Sequence, residues 1–263
     1  MLRNLTLKVL RDRRLALLGW GLGLAGLIAL ILMAYPVVAS ATGVGSYVEK
    51  LPPIFLVLLG ETDILSPAGF INAELFNFLI PFVLISCAVG TGVEVLAGNI
   101  ERRTLDLLLA TPLSRTRFTV QSFLAIAGVV FTLGVFVFVG LLIGTSRAEI
   151  PVQPLHLAGA TVSACLNATC FGTLALVFGS FLSRRGPTMA LTAGCVTLTF
   201  FLNSVGSLFD FAEPFRRVSP FFYYRLGDPV RNGASLANLG GLTAISLLLL
   251  ALATFQFRRR DLA

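Results

Sequence analysis

Charge is what this chain has least of. Only 13% of its 263 residues are Asp, Glu, Lys or Arg, while 56% are apolar and the mean hydropathy is +0.88. A soluble domain carries about 25% charged residues, so this composition suits lipid rather than water. Histidine occurs once, at His156, and lysine only at Lys8 and Lys50. No G-x-x-x-x-G-K-[ST] phosphate loop and no H-E-x-x-H zinc helix is present. ATP hydrolysis by this chain is therefore not expected, nor is metal binding, and the chain reads as a non-enzyme. A serine–histidine dyad would need Ser46 or Ser207 beside His156, and nothing around either favours it. The cysteines Cys87, Cys165, Cys170 and Cys195 form no C-x-x-C pair. They read as small apolar helix residues.

What the chain does have is long apolar runs. A membrane helix needs about 20 mainly apolar residues. Six uncharged stretches reach or approach that length: Leu15–Ala39, Leu75–Val93, Phe118–Ser146, Leu155–Ser183, Gly186–Phe209 and Asn232–Phe257. Taken to their interfacial ends, they predict membrane helices at about 15–39, 74–97, 118–146, 155–183, 186–209 and 232–257. The fold class is thus an all-α membrane protein, with 1–263 as a single domain. Pro81 interrupts the second stretch. The first has the basic start of a signal peptide, but its apolar run is too long for a cleavable one, which predicts a retained membrane helix.

Basic residues orient the chain. With six helices, one side holds 14 of the 20 basic residues: Arg3, Lys8, Arg11, Arg13, Arg14, Arg102, Arg103, Arg115, Arg117, Arg184, Arg185 and Arg258 to Arg260. The other holds Lys50, Arg147, Arg216, Arg217, Arg225 and Arg231, mixed with acids. The positive-inside rule makes the first side cytoplasmic and predicts both termini there. The net charge of +7 is accounted for by this orientation, and no basic–aromatic surface is left for nucleic acid.

The connections differ in kind. Residues 40–72 read as a long outer loop, and 183–187 as a tight inner turn. Residues 210–231 form an outer segment rich in Phe, Tyr and Arg, suited to the headgroup level. The loop after the second helix is amphipathic. Asn99 suits an N-cap and Glu101 the positive helix start, and Thr111-Pro112 would end the helix. Leu105, Leu108, Leu109 and Pro112 fall on one face, with Arg102, Arg103 and Asp106 on the other. Such a helix lies on the cytoplasmic surface, either as an anchor or as a docking element for a soluble partner.

At this loop, Arg103-Thr104-Leu105-Asp106-Leu107-Leu108-Leu109-Ala110-Thr111-Pro112-Leu113-Ser114-Arg115 is similar to a segment of the type-2 class of ATP-binding-cassette (ABC) permeases. Ser219-Pro220-Phe221-Phe222-Tyr223-Tyr224, followed by Gly227-Asp228-Pro229, resembles that class's segment before its last helix. Phe257-Arg258-Arg259-Arg260-Asp261-Leu262 resembles its C-terminal end. Arg103 departs from the pattern, standing where the family usually has glycine. The resemblance implies the membrane subunit of an exporter in a prokaryotic cell membrane. Such a subunit pairs with a second permease subunit (homo- or heterodimer) and binds two copies of a cytoplasmic ATPase, which carries the ATP and Mg. It also implies that 99–115 is a coupling helix using Glu101, Arg102, Arg103, Leu105, Asp106, Leu108, Leu109, Pro112 and Arg115. The N-terminal stretch 2–14 would be an amphipathic surface helix.

In that class the second and fifth helices face the path. Here they carry small or polar residues at helical spacing: Asn77, Pro81, Leu84, Ala88 and Thr91 on one, and Thr188, Thr192, Cys195, Thr199, Asn203 and Gly206 on the other. Of these, Asn77, Leu84, Ala88, Thr91, Thr192, Thr199 and Asn203 are the candidate path residues. Helix–helix packing selects the same residue types, and both readings stand at this stage. Ala160, Ala164, Ala168 and Gly172 on the fourth helix read as packing, and the Leu-rich sixth helix as lipid-facing. The expected cargo is a hydrophobic or amphipathic compound. Two other functions are compatible with these features: a non-transport ABC subunit acting on an envelope component, and a carrier that works without ATP.

Overall fold

In the computed structural model, residues 5–40, 66–102, 114–208 and 213–259 are described, and they contain helices and no strands. Helix α1 spans Leu5–Asp12. Five helices are long and apolar enough to cross a membrane: α2 Arg14–Ser40, α3 Pro67–Glu101, α4 Arg115–Arg147, α5 Pro154–Leu182 and α10 Leu236–Arg259. Between α5 and α10 lie α6 Arg185–Ser204, continued by a 3-10 turn Val205–Leu208, and the short helices α7 Glu213–Arg216, α8 Pro220–Arg225 and α9 Pro229–Asn232. The fifth expected stretch, Gly186–Phe209, is therefore a helix of 20 residues, Arg185–Ser204, but a more polar one than the five.

Local chemistry sets these boundaries. Ser66 caps α3, its hydroxyl accepting from the Gly69 N–H at 3.1 Å, with Pro67 as the first helical residue. This start lies inside the segment expected to be loop, because Glu74 ends the uncharged run while the helix continues past it. Ser114 caps α4 by accepting from Arg117 N–H at 3.2 Å. Ser183, in the left-handed region at φ 58°, closes α5.

Counting α6 with the five, successive helices run in alternating directions, so the bundle has a basic end and a far end. At the basic end, α1 lies on α4: Leu5 N–H donates to Gln121 Oε1 at 3.1 Å, and Thr6 Oγ1 to the Gln121 carbonyl at 3.0 Å. Leu5 is buried there and Leu7 exposed. Arg115, opening α4, donates to the carbonyls of Phe257 and Arg258 at 3.3 and 3.4 Å, closing the C-terminal end of α10.

Helix α5 is central, packed by α3, α4, α6 and α10. Close approach between helices needs small residues. A Cβ at Gly92 of α3 would run into the carbonyl oxygen of Gly172 on α5, and one at Gly140 of α4 would lie 2.7 Å from Ala25 Cα on α2. The outer face of α10 exposes Leu247, Leu248, Leu252 and Phe255, and that of α2 exposes Leu22, Leu30 and Val37. Five helices of this length and composition, with such apolar outer faces, make the chain a multi-pass membrane protein.

Candidate functional site

The basic end gathers the charged residues that follow α3. Glu94 lies at a π-helical turn, Glu94–Gly98, near the end of α3. Its carboxylate pairs with Arg102 at 2.9 Å and with Arg185 at the start of α6. Glu101 accepts from the Arg185 backbone N–H at 2.9 Å, placing a negative charge at the N-terminus of α6. Two carboxylates on α3 thus hold both the start of the following loop and the start of α6. The expected helix does not begin at Asn99, since Asn99 to Glu101 continue α3 and the Asn99 amide donates to the Val95 carbonyl, and Arg115 opens α4 and closes α10 as described; Arg103, Leu105, Asp106, Leu108, Leu109 and Pro112 lie outside the described residues.

Arg13, between α1 and α2, reaches the same region and donates to Thr91 Oγ1 at 2.9 Å. Between α2, α3 and α6 a cleft of about 380 Å³ is lined by Arg13, Ser86, Cys87, Gly90, Glu94, Arg185, Gly186 and Met189 among others. Glu94 and Arg13 are the elements of this cleft that periodicity does not single out. Glu94 marks the end of an apolar run, and Arg13 is one of many basic residues near the N-terminus.

The candidate path residues divide by their surroundings. Leu84, Ala88 and Thr91 are buried within the chain's own bundle, where Ala88 packs against Gly172 of α5. Asn77 is buried as well. On α6, Thr188, Thr192, Val196, Phe200 and Asn203 form the buried seam, and Thr199 is half-exposed. Thr188, Thr192 and Thr199 return their hydroxyl hydrogen bonds to the carbonyls four residues back. On its other side α6 leaves Gly186, Met189, Ala190, Ala193, Gly194, Thr197 and Leu198 uncovered. On α3, Phe78 and Ser86 are among the uncovered residues, and Phe82, Cys87 and Gly90 among the half-covered ones.

The far end differs most from the expectation. Helix α8 does not lie at headgroup level but drops back among the long helices. The Phe221 ring is buried against Phe171 of α5 (centroids 5.3 Å apart), Phe200 of α6 (5.5 Å) and Phe82 of α3 (6.5 Å). Phe171 lies past the midpoint of α5, so α8 is a wedge reaching inward. Tyr224, buried beside it, donates to the Phe76 carbonyl at 2.6 Å. Burial raises its phenol above the ordinary range, keeping it a neutral donor. Asp228, at φ 49°, accepts from Asn72 Nδ2 at 2.8 Å and ties the segment to α3.

A family model described as "Multidrug efflux system permease Rv1217c, C-terminal domain" matches residues 5–258. No curated protein matches the chain.

Proposed function

The chain belongs to this multidrug efflux permease family, and from that premise we propose that it is the membrane-spanning subunit of an ABC exporter of the type-2 class. In this reading α6 completes six membrane helices, both termini are cytoplasmic, and the membrane is the cell membrane of a prokaryote. Two such subunits, identical or different, assemble with two copies of a cytoplasmic ATPase. That ATPase binds the ATP and Mg, while this chain carries out no chemistry. The cargo is a hydrophobic or amphipathic compound.

The observation that carries this reading is the one-sided seating of α6. A helix fixed by one seam, with Gly186, Ala190, Ala193, Gly194 and Thr197 uncovered beside Met189, Leu191, Leu198 and Phe201, has small residues that permit close approach by another helix and apolar ones that such a partner would cover. A second permease subunit meeting there would bring the uncovered residues of α3 and α6 from both copies around a shared path. The matched family supports this, since its description is of one domain of a permease. The Glu94–Arg102 and Glu94–Arg185 pairs supply the mechanical link. Displacement of a coupling segment between α3 and α4 by the ATPase would pull on α3 and α6 together, and so bias two arrangements of the path.

Asp106 on that segment is the test. Its replacement by Arg sets like charge against the ATPase surface, and losing a desolvated charge pair costs about 2–5 kcal/mol. Asp106→Arg, and separately the Leu105→Ala, Leu108→Ala double variant, should lose co-purification of the ATPase and substrate-stimulated ATP hydrolysis in lipid. Membrane insertion should persist. Retention of assembly and stimulation in both variants would reduce this segment to a surface anchor.

A further inference from the structure

We infer that the cleft between α2, α3 and α6 binds the acidic head of an amphiphile. Its charged mouth and its apolar depth are separate observations pointing to the same ligand. At the mouth, Arg13 and Arg185 stand with the single carboxylate Glu94, leaving positive charge in excess, and Arg102 and Glu101 lie beside the lining as partners of Glu94 and of the Arg185 backbone. The Glu94 carboxylate is shared between Arg102 and Arg185. Arg13 is half-buried, and among the described residues its guanidinium meets only the Thr91 hydroxyl. A guanidinium has five donors in a planar fork suited to a carboxylate or phosphate, so Arg13 has donors to spare in a partly desolvated place.

Deeper in, the lining changes character. Ser86, Cys87, Gly90 and Met189 continue the cleft along α3 and α6. The Ser86 hydroxyl is spent on the Phe82 carbonyl at 2.7 Å and offers no free donor to the cleft. A Cβ at Gly90 or at Gly186 would meet nothing within 4 Å, so both glycines leave room rather than fill a contact. A free inorganic anion has no use for that apolar depth, and a cationic amphiphile would face the arginines. The chemistry that satisfies both is an acid group on a hydrocarbon or aromatic body. It has two sources, a transported acidic compound or an anionic phospholipid of the leaflet at the basic end. The inference deepens the export reading by naming the charge class of what enters, but binding itself does not depend on transport.

The test uses the full chain in nanodiscs made of phosphatidylcholine only, with no ATPase present. The probe is dansyl-labelled undecanoate, and the control is its uncharged methyl ester. The acid should bind saturably and about tenfold tighter than the ester, the scale of one charge-assisted hydrogen bond. Arg13→Gln should abolish that preference while leaving ester binding unchanged. Gly90→Leu fills the depth without touching a charge and should weaken both ligands by a similar factor. Its open surroundings let it fold, which a thermal melt checks. In a second arm, phosphatidylglycerol replaces a fraction of the disc lipid. Loss of probe binding assigns the cleft to leaflet phospholipid, and retention assigns it to a transported acid; either result supports an acidic-amphiphile site. Equal binding of acid and ester, or wild-type binding by folded Arg13→Gln and Gly90→Leu, overturns it. Export of the bound acid by vesicles containing the ATPase is measured separately. A chain that binds the acid but exports nothing keeps the site and loses the export reading.

Discussion

At the scale of single residues, Pro81 and Tyr224 explain one another. The stretch Asn72–Leu79 of α3 is π-helical, and the Ile80 N–H bonds the Leu75 carbonyl five residues back. The next bond in that register would run from residue 81 to the Phe76 carbonyl, but proline has no N–H to give. The Phe76 carbonyl is left facing the bundle interior, where a lone acceptor is costly. The Tyr224 hydroxyl fills the vacancy at 2.6 Å. Proline thus opens a position on α3 that a residue 148 places later in the chain completes. Tyr224→Phe should then destabilise the folded protein by about 1 kcal/mol, within the range of interhelical hydrogen bonds in membranes. In a Pro81→Ala background the helix can satisfy its own carbonyl in either register, and the cost of Tyr224→Phe should fall close to zero. Thermal unfolding of the four proteins in detergent gives the coupling. Equal costs in both backgrounds would mean that the hydroxyl contributes nothing specific to Phe76.

At the scale of elements, periodicity identified which residues share a face but not where that face points. Small and hydroxyl residues recur on α3 and α6 because both tight packing and a polar path use them. On α3, Ala88 and Gly92 meet Gly172 of α5, so that part of the helix packs against the chain's own bundle. On α6 the line Thr188, Thr192, Val196, Phe200 is the seam and the opposite side is uncovered. The aromatic segment was legible as an element but not as a wedge, since Phe and Tyr serve equally at headgroups and in a core. What decides it is the matching aromatic set on three separate helices, Phe82, Phe171 and Phe200, which no local pattern connects. The uncovered side of α6 yields a prediction of its own. In a cysteine-free background, Thr197→Cys should form an oxidatively cross-linked, dimer-sized adduct in native membranes, whereas Leu248→Cys, on the exposed side of α10, should not. A monomeric Thr197→Cys together with a cross-linked Leu248→Cys would move the subunit contact to α10.

At the scale of the whole molecule, charge and packing divide the chain into the same two ends from independent starting points. Counting arginines and lysines divides the loops into a basic set and a mixed set without reference to any contact. The bundle makes the same division by touching: Arg13 meets Thr91, Arg185 meets Glu94 and Arg115 meets the end of α10 at one end. At the other, Asn72 meets Asp228 and Arg231 donates to Ser66 Oγ at 3.1 Å. This agreement was open to sequence reasoning because insertion reads local charge, whereas the pairing of helices depends on residues far apart in the chain. The basic end is expected in the cytoplasm, and labelling can test it. Arg217 is well exposed in the far-end segment; Arg184 is exposed in the turn before α6 and leaves the Glu94 pairs intact when replaced. With the native cysteines removed, Arg217→Cys should react with a membrane-impermeant maleimide in sealed cells, and Arg184→Cys only after permeabilisation. Reaction of Arg184→Cys in sealed cells would reverse the bundle, set the Glu94 pairs outside, and remove the proposed docking place for a cytoplasmic ATPase.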